Sequence, residues 1–146
     1  MTDHLPADFH NRLVAECPDA VIYADAGGCI RFWNAAATRI FRFAENEALG
    51  MRLDLIIPER LRARHWEGFD KVMAGEPSRY GEGELLAVPA LHKDGRQISV
   101  EFTILPLHDE LARLIGIAAF LRDATARFEE VRGLRREIAA LKGART

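Results

Sequence analysis

Gly28-Cys29-Ile30-Arg31-Phe32-Trp33-Asn34-Ala35-Ala36-Ala37 changes period in mid-run. Cys29 to Trp33 is rich in β-branched and aromatic residues and predicts a strand. Asn34 then offers a side-chain oxygen to the free amides of a first helical turn, which predicts an N-cap. Ala35 to Phe41 follows as a short helix with Ile40 and Phe41 turned inward. Immediately upstream, Ala20-Val21-Ile22-Tyr23-Ala24-Asp25 reads as another strand. Ala26-Gly27-Gly28 between the two supplies residues that tolerate positive φ, so the strands form a hairpin. The unit is an antiparallel hairpin running directly into a capped helix.

Outward from this unit, the N-terminal side is a helical lead from about Ala7 to Cys17, with Phe9, Leu13 and Val14 at helical spacing and Pro18 as its stop. On the other side, Glu45 to Gly50 predicts a helical turn closed by glycine. Leu53, Leu55, Ile56 and Ile57 form an apolar knot before Pro58. Pro58 to Gly75 predicts a helix, with proline in its first turn. Leu61, His65, Phe69 and Val72 share one face of it, while Arg60, Arg62, Arg64 and Lys71 fall mostly elsewhere and read as a solvated face. Strand chemistry then returns. Glu84 to Leu91 is a strand whose Pro89 points to a sheet edge or a bulge. Lys93 to Arg96 is a turn. Gln97 to Ile104 alternates, with Ile98, Val100, Phe102 and Ile104 on one face. His108-Asp109-Glu110 reads as a polar loop, and Leu114 to Leu121 as the last strand. After Asp123-Ala124-Thr125 the period is helical again, and Val131, Leu134, Ile138 and Leu141 form an a/d seam weakened by Gly133. Strands and helices do not alternate, so an antiparallel sheet with helices on one face fits better than a doubly wound sheet. The chain divides into a lead (1–17), an α+β core (18–125) and a terminal helix (126–146).

The 146 residues suffice for one domain with its own core. A net charge of −2 gives none of the basic excess on which nucleic-acid affinity rests, so no nucleic-acid contact is expected. Cys17 and Cys29 make neither a disulfide framework nor a zinc spacing. No apolar run approaches the roughly 20 residues of a membrane span, and the N-terminus is no secretory signal, so a cytoplasmic protein with reduced thiols and no membrane partner is expected. There is no nucleophile elbow and no Glu-x-x-His, and Gly81-Glu82-Gly83 is too short and acidic to cradle phosphate. No enzymatic activity is expected.

Four segments together resemble a PAS domain, from about Leu13 to Ala126: Pro18-Asp19-Ala20-Val21-Ile22, the opening run Gly28 to Ala37, Lys93-Asp94-Gly95-Arg96 with its alternating strand, and Ile117 to Thr125 with an Asp-x-Thr exit. The resemblance implies a five-stranded antiparallel sheet in the order 2-1-5-4-3, short helices on one face, and a pocket between the sheet and the helix after Pro58. Ile40, Phe41, Leu61, His65, Phe69, Val100, Phe102, Ile117 and Ala119 are expected to line it. The implied role is a sensory and dimerisation module of signal transduction or transcription regulation, with an unidentified small ligand. Its partners would be a second copy of the chain and an effector domain or partner protein, whether kinase, cyclase or transcription regulator. Asp123 and Thr125 would pass the signal from the last strand to the terminal helix.

Two alternatives stay open. The stretch Ile57 to His65 is similar to the helix carrying the axial histidine of oxygen-sensing PAS domains, so a haem b sensor would use His65 on its iron. The chain departs from that pattern where the third strand begins, because Glu82, Glu84 and Leu85 stand there in place of a distal Arg or Met, and Met73 lies on another segment. The other alternative is a ligand-free interaction module. A flavin photosensor of this family needs a Cys just before Pro58, and Leu53-Asp54-Leu55-Ile56-Ile57 has none. A flavin would have to stack on Trp33 or Trp66 instead.

Overall fold

The computed structural model describes residues 4–76 and 85–144. A lead helix α1 (Phe9–Ala15) precedes β1 (Ala20–Asp25) and β2 (Ile30–Trp33). Helices α2 (Ala35–Phe41) and α3 (Glu45–Ala48) follow, then a 3-10 turn at Leu53–Ile56, a second at Glu59–Leu61, and α4 (Arg62–Met73). β3 (Leu86–Leu91), β4 (Gln97–His108) and β5 (Leu114–Asp123) complete the sheet, and α5 (Thr125–Gly143) leaves it. All neighbouring strands are antiparallel, in the order β2-β1-β5-β4-β3, as the resemblance implied.

Asn34 closes the decisive unit more completely than a cap alone. Its Oδ1 accepts from Ala37 N at 3.0 Å and also from Val21 N at 3.0 Å. Its Nδ2 donates to Val14 O at 3.0 Å and Asp19 O at 3.1 Å. One buried amide therefore joins α2, β1 and the segment leading from α1.

The core lies between the sheet and the helices as two clusters. The larger packs Ile22, Ile30, Trp33, Ala37, Phe41, Ile56, Ile98, Val100 and Leu121 beneath α2 and α3. The smaller packs Phe69 of α4 on Ala24 and Ile117, flanked by Leu53, Trp66, Val72, Met73 and Ile104.

Several boundaries move for local reasons. Cys29 leaves β2 because it bridges to Arg52. The Pro58 helix opens as a 3-10 turn, closed by Leu61 N to Pro58 O at 2.9 Å. Leu61 then sits at φ −105°, ψ −4°, outside α4, so it does not extend the helix face. Arg62 is only partly solvated, because its guanidinium folds back to Ile57 O at 3.1 Å and Asp54 O at 3.3 Å. β3 starts at Leu86, and the expected start at Glu84 lies outside the described residues. Pro89 is accommodated because β3 is an edge strand, and its partner Ser99 sends its own backbone groups the other way. β4 runs beyond Ile104 to His108, which is thus a strand end and not a loop residue.

Candidate functional site

The face of α4 toward the sheet carries His65, Trp66, Phe69, Val72 and Met73. His65 packs edge-on to Trp66 with ring centroids 4.8 Å apart, and against Phe69 at 6.1 Å. Its Nδ1 is buried with no hydrogen-bond partner. Burial holds the imidazole below the usual histidine range, against the opposing pull of Asp54 and Asp70. The ring is thus kept neutral, with a nitrogen lone pair available to a donor or a metal.

Trp66 is fixed on three sides. Its Nε1 donates to Asp54 Oδ1 at 2.7 Å. The Arg52 guanidinium lies over its ring, 4.2 Å from the centroid. Its six-membered ring rests on Gly28, where an added Cβ would come within 2.3 Å of two ring carbons. Only a glycine allows this approach, and φ of +82° at Gly28 favours glycine as well.

The residues expected in one pocket are divided between the two clusters. Phe41 and Val100 belong to the larger, with Ile40, Phe102 and Ala119 packed against it. Phe69 and Ile117 belong to the smaller. His65 touches the second group through Phe69, while Leu61 joins neither cluster. Trp33 is buried in the larger cluster, and its Nε1 donates to Thr38 Oγ1 at 3.0 Å and Phe43 O at 3.1 Å. Trp33 thus presents no free face of the kind a stacked flavin would use, and Arg52 covers one face of Trp66. Of the residues expected near the start of the third strand, Leu85 is exposed outside β3, while Glu82 and Glu84 lie outside the described residues.

The point where α5 leaves the sheet is tied to β4. Both backbone groups of Ser99 on β4 serve the junction between β5 and α5: Ser99 O accepts from Ala124 N at 2.8 Å, and Ser99 N donates to Thr125 Oγ1 at 3.0 Å. Thr125 Oγ1 in turn donates to Asp123 Oδ1 at 2.5 Å, which also accepts from Thr125 N at 2.9 Å. Two residues further along α5, Arg127 reaches Glu101 of β4 at 3.4 Å. Asp123 and Thr125, singled out in the sequence, both take part in the hydrogen bonds of this junction, whereas Ser99 and Glu101 carry no local signal and were missed. The Asp54–Trp66–Arg52 clamp was missed as well; the doubled glycine at Gly27-Gly28 is the available hint, and by itself it signals no more than a turn.

Beyond the junction, Phe128, Val131, Leu134, Ile138 and Leu141 are exposed along α5. Among the described residues no helix is long and apolar enough to cross a membrane, and no three His, Cys, Asp or Glu side chains gather as a metal site. A surface depression at the hairpin ends is lined by Asp25, Cys29, Asp109, Arg113 and Ile115, among others. Its carboxylates are already engaged. Arg31 holds Asp25 below the usual carboxylate range, and the Arg113 amide does the same for Asp109.

A family model described as the PAS fold matches residues 14–129. Over 114 residues the chain is 29% identical to the sensor protein FixL of Bradyrhizobium diazoefficiens, covering 74% of this chain and 21% of FixL. The chain thus spans about a fifth of the length of that relative. Among solved structures, a PAS domain from Colwellia psychrerythraea superposes with a TM-score of 0.69 at 18% identity, covering 80% of this chain and 95% of that one. An RNA-binding light-oxygen-voltage receptor superposes with a TM-score of 0.72 at 17% identity, covering 95% of this chain and 40% of the receptor. At such identities the likeness is one of fold.

Proposed function

The chain belongs to the PAS family, and on that premise we propose that it is a cytoplasmic, non-catalytic sensory and dimerisation module. In this reading the core takes up a small ligand between α4 and the sheet, and α5 carries the response to an effector domain or a partner protein, whether kinase, cyclase or transcription regulator. The observation that carries the reading is the junction at Thr125. It ties the first residue of α5 to the backbone of β4, so a shift in the sheet is a shift at the root of the helix. Past that root, α5 shows an apolar stripe that a lone helix would leave in water, at a cost of about 25 cal/mol per Å2 of apolar surface. A second copy of α5 would cover it at the a/d positions Val131, Leu134, Ile138 and Leu141. The test is light scattering on the wild type and on Leu134→Glu/Ile138→Glu. A wild-type dimer that becomes a monomer with an unchanged core melt is expected. A wild-type monomer at tens of micromolar would remove dimerisation from the reading.

One observation favours a haem-bearing version: the half-buried, neutral imidazole of His65 among apolar neighbours, with its Nδ1 unpartnered, a suitable donor for haem iron. When bound there, haem would supply a gas-binding iron. This chain's own part would be to present His65 and to exclude water with Phe69 and Trp66. Hemin titration checks it. A Soret band that disappears in His65→Ala supports it. A flat spectrum, unchanged by hemin, overturns it and leaves a metabolite pocket or a ligand-free interaction module, which ligand-dependent melting separates.

A further inference from the structure

We propose that Trp66 is the latch of a lid formed by α4: its indole, seated on Gly28 and held by Asp54, keeps the helix closed on the sheet at the smaller apolar cluster, and its release lifts α4, with its own His65, off that cluster. The seat is rigid. Gly28 N donates to Asp25 O at 2.9 Å and Gly28 O accepts from Leu53 N at 3.1 Å. The adjoining chain is pinned as well, through Ile30 N to Met51 O and Gly50 N to Ile30 O, each at 2.8 Å. The bolt is the 2.7 Å bond from Trp66 Nε1 to the Asp54 carboxylate, covered on one face by Arg52.

Among the described residues, the other side-chain hydrogen bonds from α4 to the body come from Arg62, its first residue. Arg62 therefore marks a hinge end. Beyond Trp66, α4 is attached through apolar contacts, and Phe69 is its one buried residue. Apolar contacts set no direction, whereas the Trp66 bond is directional and weakens steeply as it is bent or stretched. His65 stands next to the latch with Nδ1 buried and unpartnered, so opening would bring a nitrogen to water that has no partner in the closed form.

The latch deepens the proposed ligand site, on which its purpose rests, but its test needs no ligand. Hydrogen exchange by mass spectrometry would compare wild type, Asp54→Ala, Asp54→Asn and Trp66→Phe. Loss of a hydrogen bond to a charged group should speed exchange in residues 66–73 by on the order of tenfold. Strands β4 and β5 should keep their wild-type rates, and carbethoxylation of His65 by diethyl pyrocarbonate should rise by a similar factor. The substitution Asp54→Asn retains a carbonyl acceptor, so its rates should fall between those of wild type and Asp54→Ala. Wild-type exchange of α4 in Asp54→Ala would overturn the latch. So would equal acceleration of α4 and the sheet, which would reduce Asp54 to a plain stability contact. Failure to find any ligand would count against the proposed function and leave these rates, and the latch, standing.

Discussion

Gly28 and Trp66 meet so closely that no side chain fits between them. A Cβ at position 28 would lie 2.3 Å from ring carbons of the indole, at a backbone φ of +82°. Gly28→Ala therefore meets two penalties, the left-handed backbone at about 1–2 kcal/mol and displacement of a packed ring at about 1–3 kcal/mol. The variant should lose about 2–5 kcal/mol in urea unfolding. If Trp66 is the group displaced, the tryptophan emission should move to the red while Trp33 stays buried. A stability loss without a red shift would mean that the backbone term alone is felt.

The Asn34 side chain joins three segments through five hydrogen bonds, and its environment is buried. Asn34→Ala removes a helix cap worth about 1 kcal/mol and leaves buried backbone groups unsatisfied at about 1–3 kcal/mol each. A loss of about 3 kcal/mol or more is expected by chemical denaturation. Asn34→Asp keeps the acceptor toward Val21 and Ala37 but turns a donor into a second acceptor facing the carbonyls of Val14 and Asp19. It should also destabilise, and an Asp variant as stable as wild type would show that the bonds to Val14 and Asp19 contribute nothing.

His65 sets a pH dependence of definite sign. Burial lowers its folded pKa below the unfolded value of about 6.5. Above pH 6.5 both states carry a neutral ring and nothing is lost. As pH falls below that value the unfolded chain takes up the proton first, so stability declines until the folded pKa is passed. The urea midpoint should fall between pH 7.5 and pH 5.5 by more in wild type than in His65→Gln. Equal slopes in the two proteins would mean that the imidazole is protonated in the fold without cost.

Thr125 holds the root of α5 through its hydroxyl. Thr125→Val keeps the shape and removes one side-chain bond in each direction, a loss of about 1 kcal/mol at the junction. Amide exchange at Thr125 to Phe128 should quicken, the sheet should not, and Thr125→Ser should restore the wild-type rates. Unchanged exchange in the valine variant would leave the bond from Ala124 to Ser99 as the sufficient tie.

What the sequence determined by itself is local in origin. Periods of two and of 3.6 residues are set by neighbours along the chain, so Ala20–Asp25, the capped helix from Ala35 to Phe41 and the alternation from Gln97 onward were legible, and the segments in series resembled one family and its strand order. The same holds for His65 and Phe69 on one helix face and for Asp123 and Thr125 at the exit. Tertiary structure decided everything that depends on pairing across the fold. It divided the expected pocket residues between two clusters, because Phe41 and Val100 lie under α2 and α3 while Phe69 and Ile117 lie under α4. It folded Arg62 back onto the preceding turn and gave the backbone of Ser99 to α5. It also placed Trp66 on Gly28. The glycine's turn was readable from its neighbours, but the ring above it comes from a helix brought there by the packing of the whole sheet, and no local period encodes that approach.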